Sequence, residues 1–166
     1  GDSVCYLLEY DDIIRKISFF AENKVYYAEF ITEFEVMMFL DAIKAVFENK
    51  NIEKVSHGIK DDIVFLSNNY DISFEGKLFD TEIGAYILEP SKSSYDLSIL
   101  AEEYLNVKIA DEEIKVAVLK DLKEKIASEI EKNEQSDLLY NIEFPLVNVL
   151  ASMEIEGFTV DKEKLS

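Results

Sequence analysis

Apolar positions fall in short continuous runs over the first thirty residues and recur at three- and four-residue steps near the C-terminal end. Ser3–Glu9 (SVCYLLE), Ile13–Ala21 (IIRKISFFA) and Lys24–Phe30 (KVYYAEF) are short runs rich in strand formers, the last two split by the tight-turn pair Glu22-Asn23. They predict three strands in an antiparallel meander, with the aromatic group Phe19, Phe20, Tyr26, Tyr27 and Phe30 in the core. Thr32-x-x-Glu35 has the form of a capping box, and the helix behind it, to about Glu48, carries Val36, Met37, Leu40, Ile43 and Phe47 on one face. A fourth strand is predicted at Ile52–Ser56, a turn at His57-Gly58, and a helix from about Asp61 to Asn69. Leu78–Asp80 reads as a fifth strand, and the helix Thr81–Leu88 stops ahead of Pro90. Ser93 or Ser94 is expected to cap a helix with Leu97, Leu100, Ala101 and Tyr104 inward, and a charged helix runs from about Asp111 to Lys132.

From Leu138 onward, Leu139, Ile142, Leu146, Val149, Leu150 and Met153 recur at helical steps and predict one buried face. Gly157 suits the left-handed residue that ends a helix, Phe158 and Val160 an extended link, and Asp161 the cap of a further helix. That helix is one turn long where the sequence stops, so the chain reads as a piece of a longer protein ending where another domain begins. The order of elements gives an α/β fold. It is a mixed five-stranded sheet, three antiparallel strands and then parallel ones, flanked by helices and followed by an all-helical C-terminal half.

Composition narrows the function. The 166 residues are 48% hydrophobic and hold a proper core. Net charge is −18, with a single arginine, Arg15, which argues against a polynucleotide partner, since that needs a basic stripe to displace counterions. Solvated helix faces account for the acidity. Cys5 is the lone cysteine, expected buried and inert. His57 has no Ser or Cys motif beside it and is expected as a packing or turn residue, with Gly58 serving the turn. No apolar run nears the ~18 residues of a membrane span, and the cytoplasm is the expected compartment.

Several segments resemble one family, the bacterial DNA polymerase I of family A, in the region of its 3′–5′ proofreading exonuclease domain. His57-Gly58-Ile59-Lys60-Asp61-Asp62 resembles the family's Asn-Leu-Lys-x-Asp motif, and Phe79-Asp80-Thr81 with Ala85-Tyr86-Ile87-Leu88-x-Pro90 resembles its DT-x-x-x-AY-L-L-x-P segment. Tyr95-Asp96-Leu97 with Leu100-Ala101, Asn133-Glu134-Gln135 with Asn141-Ile142-Glu143-x-Pro145-Leu146, and Met153-Glu154-x-x-Gly157 with Val160-Asp161 follow in the family's order. The resemblance implies an RNase H-like fold. It also implies an exonuclease-like domain at 1–135, then a connecting helix and the entry to a polymerase thumb at 136–166.

The family's site, on this resemblance, holds two divalent ions on four carboxylates, which supply about −4 against +4. The first-strand Asp-x-Glu falls on Leu7 and Glu9, and no Asp-x-Glu occurs in residues 1–10. The second motif keeps its acid as Asp62 but has Gly58 for its Asn; Lys115 falls on the late Asp, and Asp111 on the Tyr before it. Leu7, Glu9, Gly58, Asp62, Asp111 and Lys115 are therefore expected to form a vestigial site, with Glu9 and Asp62 the remaining weak metal candidates. The Lys115 ammonium is expected to pair with Glu9 or Asp62. The implied function is a non-catalytic support beside a polymerase domain of the same chain. That domain would need Mg²⁺, whereas this one would need no cofactor, bind little nucleic acid, meet no membrane and remain monomeric. The alternatives are weak residual metal-dependent exonuclease activity and an acidic module that docks a basic protein.

Overall fold

The structure, a computed structural model, describes residues 2–165. Five strands form one sheet in the order β3-β2-β1-β4-β5: β1 Asp2–Tyr10, β2 Ile14–Ala21, β3 Lys24–Glu29, β4 Ile52–Ser56 and β5 Leu78–Asp80. β1, β2 and β3 pair antiparallel, and β4 and β5 join parallel to β1, as the element order requires. Six α-helices complete the described residues: α1 Glu33–Phe47, α2 Ile59–Tyr70, α3 Thr81–Leu88, α4 Leu97–Leu105, α5 Glu112–Lys132 and α6 Phe144–Leu165.

Alternation along β1 decides what each face meets. Tyr6 points to the side of α1 and α2, where its ring lies edge-on to Phe47 at 5.0 Å and Tyr10 stacks on Phe65 at 3.9 Å. Cys5 and Leu7 point to the α5 side. Cys5 is buried there near Lys123, and burial pushes its thiol up to about 12, which leaves it unreactive at neutral pH. One core joins both layers and takes in Leu139, Phe144, Val147 and Ala151 from the C-terminal segment.

Several expectations change. Ser93 and Ser94 do not cap α4; Asp96 stands at that position, without a side-chain cap. Tyr26 and Tyr27 are exposed on the edge strand β3 rather than in the core, and Met37 faces solvent on α1. The segment after Leu138 opens with a π-helical turn, Leu138–Glu143, and the face it buries is not the expected one: Ile142, Leu146, Val149, Leu150 and Met153 lie on the outside. Finally, α6 runs through Gly157 to Leu165, so no helix end lies at 157 and Asp161 lies within the helix; its side chain is outside the described ones. A single glycine lowers helix propensity by only ~1 kcal/mol relative to alanine, too little to stop a helix that packs.

Candidate active site

The best-defined polar cluster forms where β4 turns into α2. Gly58 takes a left-handed conformation, φ 79°, that folds the chain from strand into helix. Its amide and that of Ile59 donate to the two oxygens of Asp80 at 3.1 and 2.8 Å. The same carboxylate accepts from Glu82 at 2.9 Å and Ile83 at 3.4 Å, so the last residue of β5 caps α2 and α3 together. Thr81 donates to the Ser56 carbonyl at 3.1 Å, and His57 bridges Thr81 Oγ1 at 2.8 Å and the Tyr95 carbonyl at 2.7 Å. His57 is thus a packing residue that ties β4 to α3 and to the loop before α4.

One turn into α2, Asp62 faces inward. Its Oδ2 accepts from the phenol of Tyr6 at 2.8 Å, and both side chains are buried. Burial pushes the Asp62 carboxyl up to about 8; the Tyr6 hydrogen bond works against that, and the charges of Asp80 and Asp61 add to it. Burial also holds the Tyr6 phenol well above its ordinary range. At neutral pH Asp62 is therefore largely a neutral acid held by one donor.

The other carried-over residues lie on the opposite layer. Leu7 pairs with Ser18, and Glu9 with Lys16, whose ammonium reaches Glu29 at 3.9 Å. Lys16, Ser18, Tyr27 and Glu29 line a cleft of about 350 Å³ with Asp111, Glu112 and Glu113 from the start of α5. Asp111 accepts from the Ile114 amide at 2.9 Å as the α5 cap, the position expected to carry a water-orienting Tyr. Among the described residues no ion pair joins Lys115 to Glu9 or Asp62, contrary to the expected pairing. Nor, among them, do three His, Cys, Asp or Glu side chains cluster closely enough to hold a metal ion. Tyr6 and the double role of Asp80 are not among the sequence expectations, although an Asp directly ahead of a helical run is itself a cap signal. Tyr6, inside an apolar strand, gives no such signal.

A family model described as 3′–5′ exonuclease, for the exonuclease domain of family A DNA polymerases, matches residues 3–132. The chain belongs to the 3′–5′ exonuclease domain family of DNA polymerase I. The DNA polymerase I of Caldicellulosiruptor bescii is 30% identical over an alignment of 170 positions, covering 99% of this chain and 18% of that protein. That of Bacillus subtilis is 30% identical over 116 positions, covering 57% of this chain and 13% of that protein. The chain thus spans less than a fifth of these relatives' length. Among solved structures, the polymerase domain of Pol1 from M. smegmatis with DNA primer-template and dNTP superposes with a TM-score of 0.75 at 19% identity, covering 91% of this chain and 28% of that one. Escherichia coli RNase D, an exoribonuclease involved in structured RNA processing, superposes with a TM-score of 0.70 at 16% identity, covering 90% of this chain and 44% of that one, so the fold is shared.

Proposed function

We propose that this domain is a non-catalytic member of the exonuclease family, and that it supports and orients the DNA polymerase domain of a longer protein. The observation that carries this reading is the setting of Asp62: its carboxyl is buried on the phenol of Tyr6, and the residue of β1 that meets it is that tyrosine rather than a second acid. The side chains do not fit two Mg²⁺ ions, which take several anionic oxygens each, because Asp62 is buried on a phenol and Glu9 is exposed beside Lys16. The supporting role draws on α6. Its outer stripe Leu146, Val149 and Met153, continued by Ile142 of the π-helical turn, is an apolar surface of the kind a neighbouring domain covers, and Lys60 of α2 holds this helix through Glu154 at 2.5 Å. The polymerase carries the Mg²⁺ requirement, and the domain itself binds little nucleic acid because its net charge of −18 repels it.

A second reading, residual 3′–5′ exonuclease activity, is favoured by the retention of Asp62 at the family's position. One assay separates the two. The purified chain is incubated with end-labelled single-stranded DNA and Mg²⁺ or Mn²⁺; no trimming is expected. Trimming that Asp62→Ala abolishes overturns the proposal. The double substitution Leu7→Asp with Lys115→Asp, which adds two acids on the α5 side with Glu9, is expected to raise Mn²⁺ affinity in calorimetry; no gain would count against the carried-over positions.

A further inference from the structure

The two flanks of the sheet both present apolar surface, and only the β5 flank lies on α6. At the β3 flank, Ile31, just ahead of α1, and Phe34 and Met38 on the outer side of α1 follow one another at three- and four-residue steps, and are 80%, 73% and 69% exposed. Met37 and Phe39 widen the stripe. Beside it an apolar groove of about 230 Å³ runs between α1 and the edge strand, lined by Phe19, Tyr26, Phe30, Phe39, Ala42 and Val46. Scattered exposed apolar residues are ordinary; a contiguous stripe next to a groove is not.

The charges around the stripe limit what covers it. Arg15 donates to the Ile31 carbonyl at 2.9 Å and to Asp11 and Asp12, which brings both carboxylates to the stripe's N-terminal end. Glu33 and Asp41 are exposed on α1 itself, and Lys44 stands only in its last turn. A second copy would bring −18 against −18, and nucleic acid or an anionic membrane would meet the same repulsion. We infer that the α1–β3 surface docks a basic amphipathic helix of a partner protein, its apolar side on Phe34 and Met38 and its cations on Asp11, Asp12, Glu33 and Asp41. Methionines and phenylalanines suit this use because they repack around varied apolar anchors. The inference does not depend on whether the domain is catalytic.

The test uses the 166-residue chain and a fluorescein-labelled synthetic peptide of leucine and lysine, about 18 residues long and patterned as an amphipathic helix. Fluorescence anisotropy should show saturable binding that weakens with salt. Phe34→Ser with Met38→Ser should weaken it by about tenfold or more, while Val149→Ser with Met153→Ser on α6 leaves it unchanged. Because both α1 positions are exposed, the variant is expected to keep the parent circular dichroism. If it does not, amide exchange of the unaltered chain decides: protection by the peptide on residues 31–46 supports the inference, and protection elsewhere overturns it. Equal binding by the two variants overturns it as well, as does no binding of the lysine peptide. A dimer in sedimentation that Phe34→Ser with Met38→Ser dissociates assigns the surface to a second copy instead.

Discussion

A buried carboxyl with a single hydrogen-bond donor is a poor metal ligand and an expensive residue to fold around. Asp62 has one such donor in Tyr6. With its carboxyl raised from 3.8 to about 8, the folded chain holds a proton that the unfolded chain has released at every pH between those values. The contribution of Asp62 to stability is therefore fully present below about pH 4, is lost as pH rises toward 8, and levels off above. Asp62→Asn keeps an acceptor for the Tyr6 hydroxyl and removes the titration. Its stability relative to the parent chain should rise by about 3–5 kcal/mol between pH 4 and pH 9, read from urea melts at the two values. Equal slopes for parent and variant would show that Asp62 ionises freely in the fold. Tyr6 was not legible as its partner because the two stand 56 residues apart in the chain and meet only through the packing of α2 on β1.

Elements meet through a few backbone-level contacts here, and these are where substitutions are felt. Asp80 accepts from four amides at the starts of α2 and α3, so Asp80→Ala leaves two helix ends uncapped in a buried place and should destabilise the chain by about 2–4 kcal/mol in urea denaturation. Gly84 is where α3 lies closest to α5: a Cβ there would meet Ile126 Cγ2 at 2.6 Å, and Ile126 is fully buried and β-branched. Gly84→Ala should cost about 1–2 kcal/mol despite the better helix propensity of alanine; a rise in melting temperature would mean the pair separates freely. The succession of strands and helices, the Thr32 capping box and the limits of β5 and α3 were legible because strand-former runs, caps and breakers agree locally. The inward face of α6 was not. Both sides of that helix are apolar, and the π-helical turn at Leu138–Glu143 adds a residue to the turn, which rotates every later position by about 100°. Phe144, Val147 and Ala151 thereby take the core from the later members of the stripe that periodicity alone selects, of which Leu139 alone stays buried. For the candidate site, motif spacing offers positions only: the division of Leu7 and Glu9 from Asp62 between two layers follows from strand alternation, in a register that spacing does not fix.

At the scale of the whole molecule, the acidic surface and the two apolar flanks divide the labour. A net charge of −18 opposes contact with nucleic acid and with further copies of the chain, so the proposal places lasting contacts where apolar area is exposed. The α6 stripe and the α1 stripe are the two such areas of helical pattern among the described residues, at the β5 and β3 sides of the sheet respectively. If α6 carries the polymerase domain, joining the two should bury its stripe and leave α1 as it is. Amide exchange compares the isolated chain with the longer protein that holds it. Residues 142–153 should gain protection of about tenfold or more on joining, equivalent to about 1.4 kcal/mol of added local stability, with residues 31–42 unchanged. Protection that appears on α1 instead would put the polymerase domain at the β3 flank and leave no free surface there for a basic helix. Protection on neither would mean that the domain hangs from its connection alone, and the supporting role would then have no interface to act through.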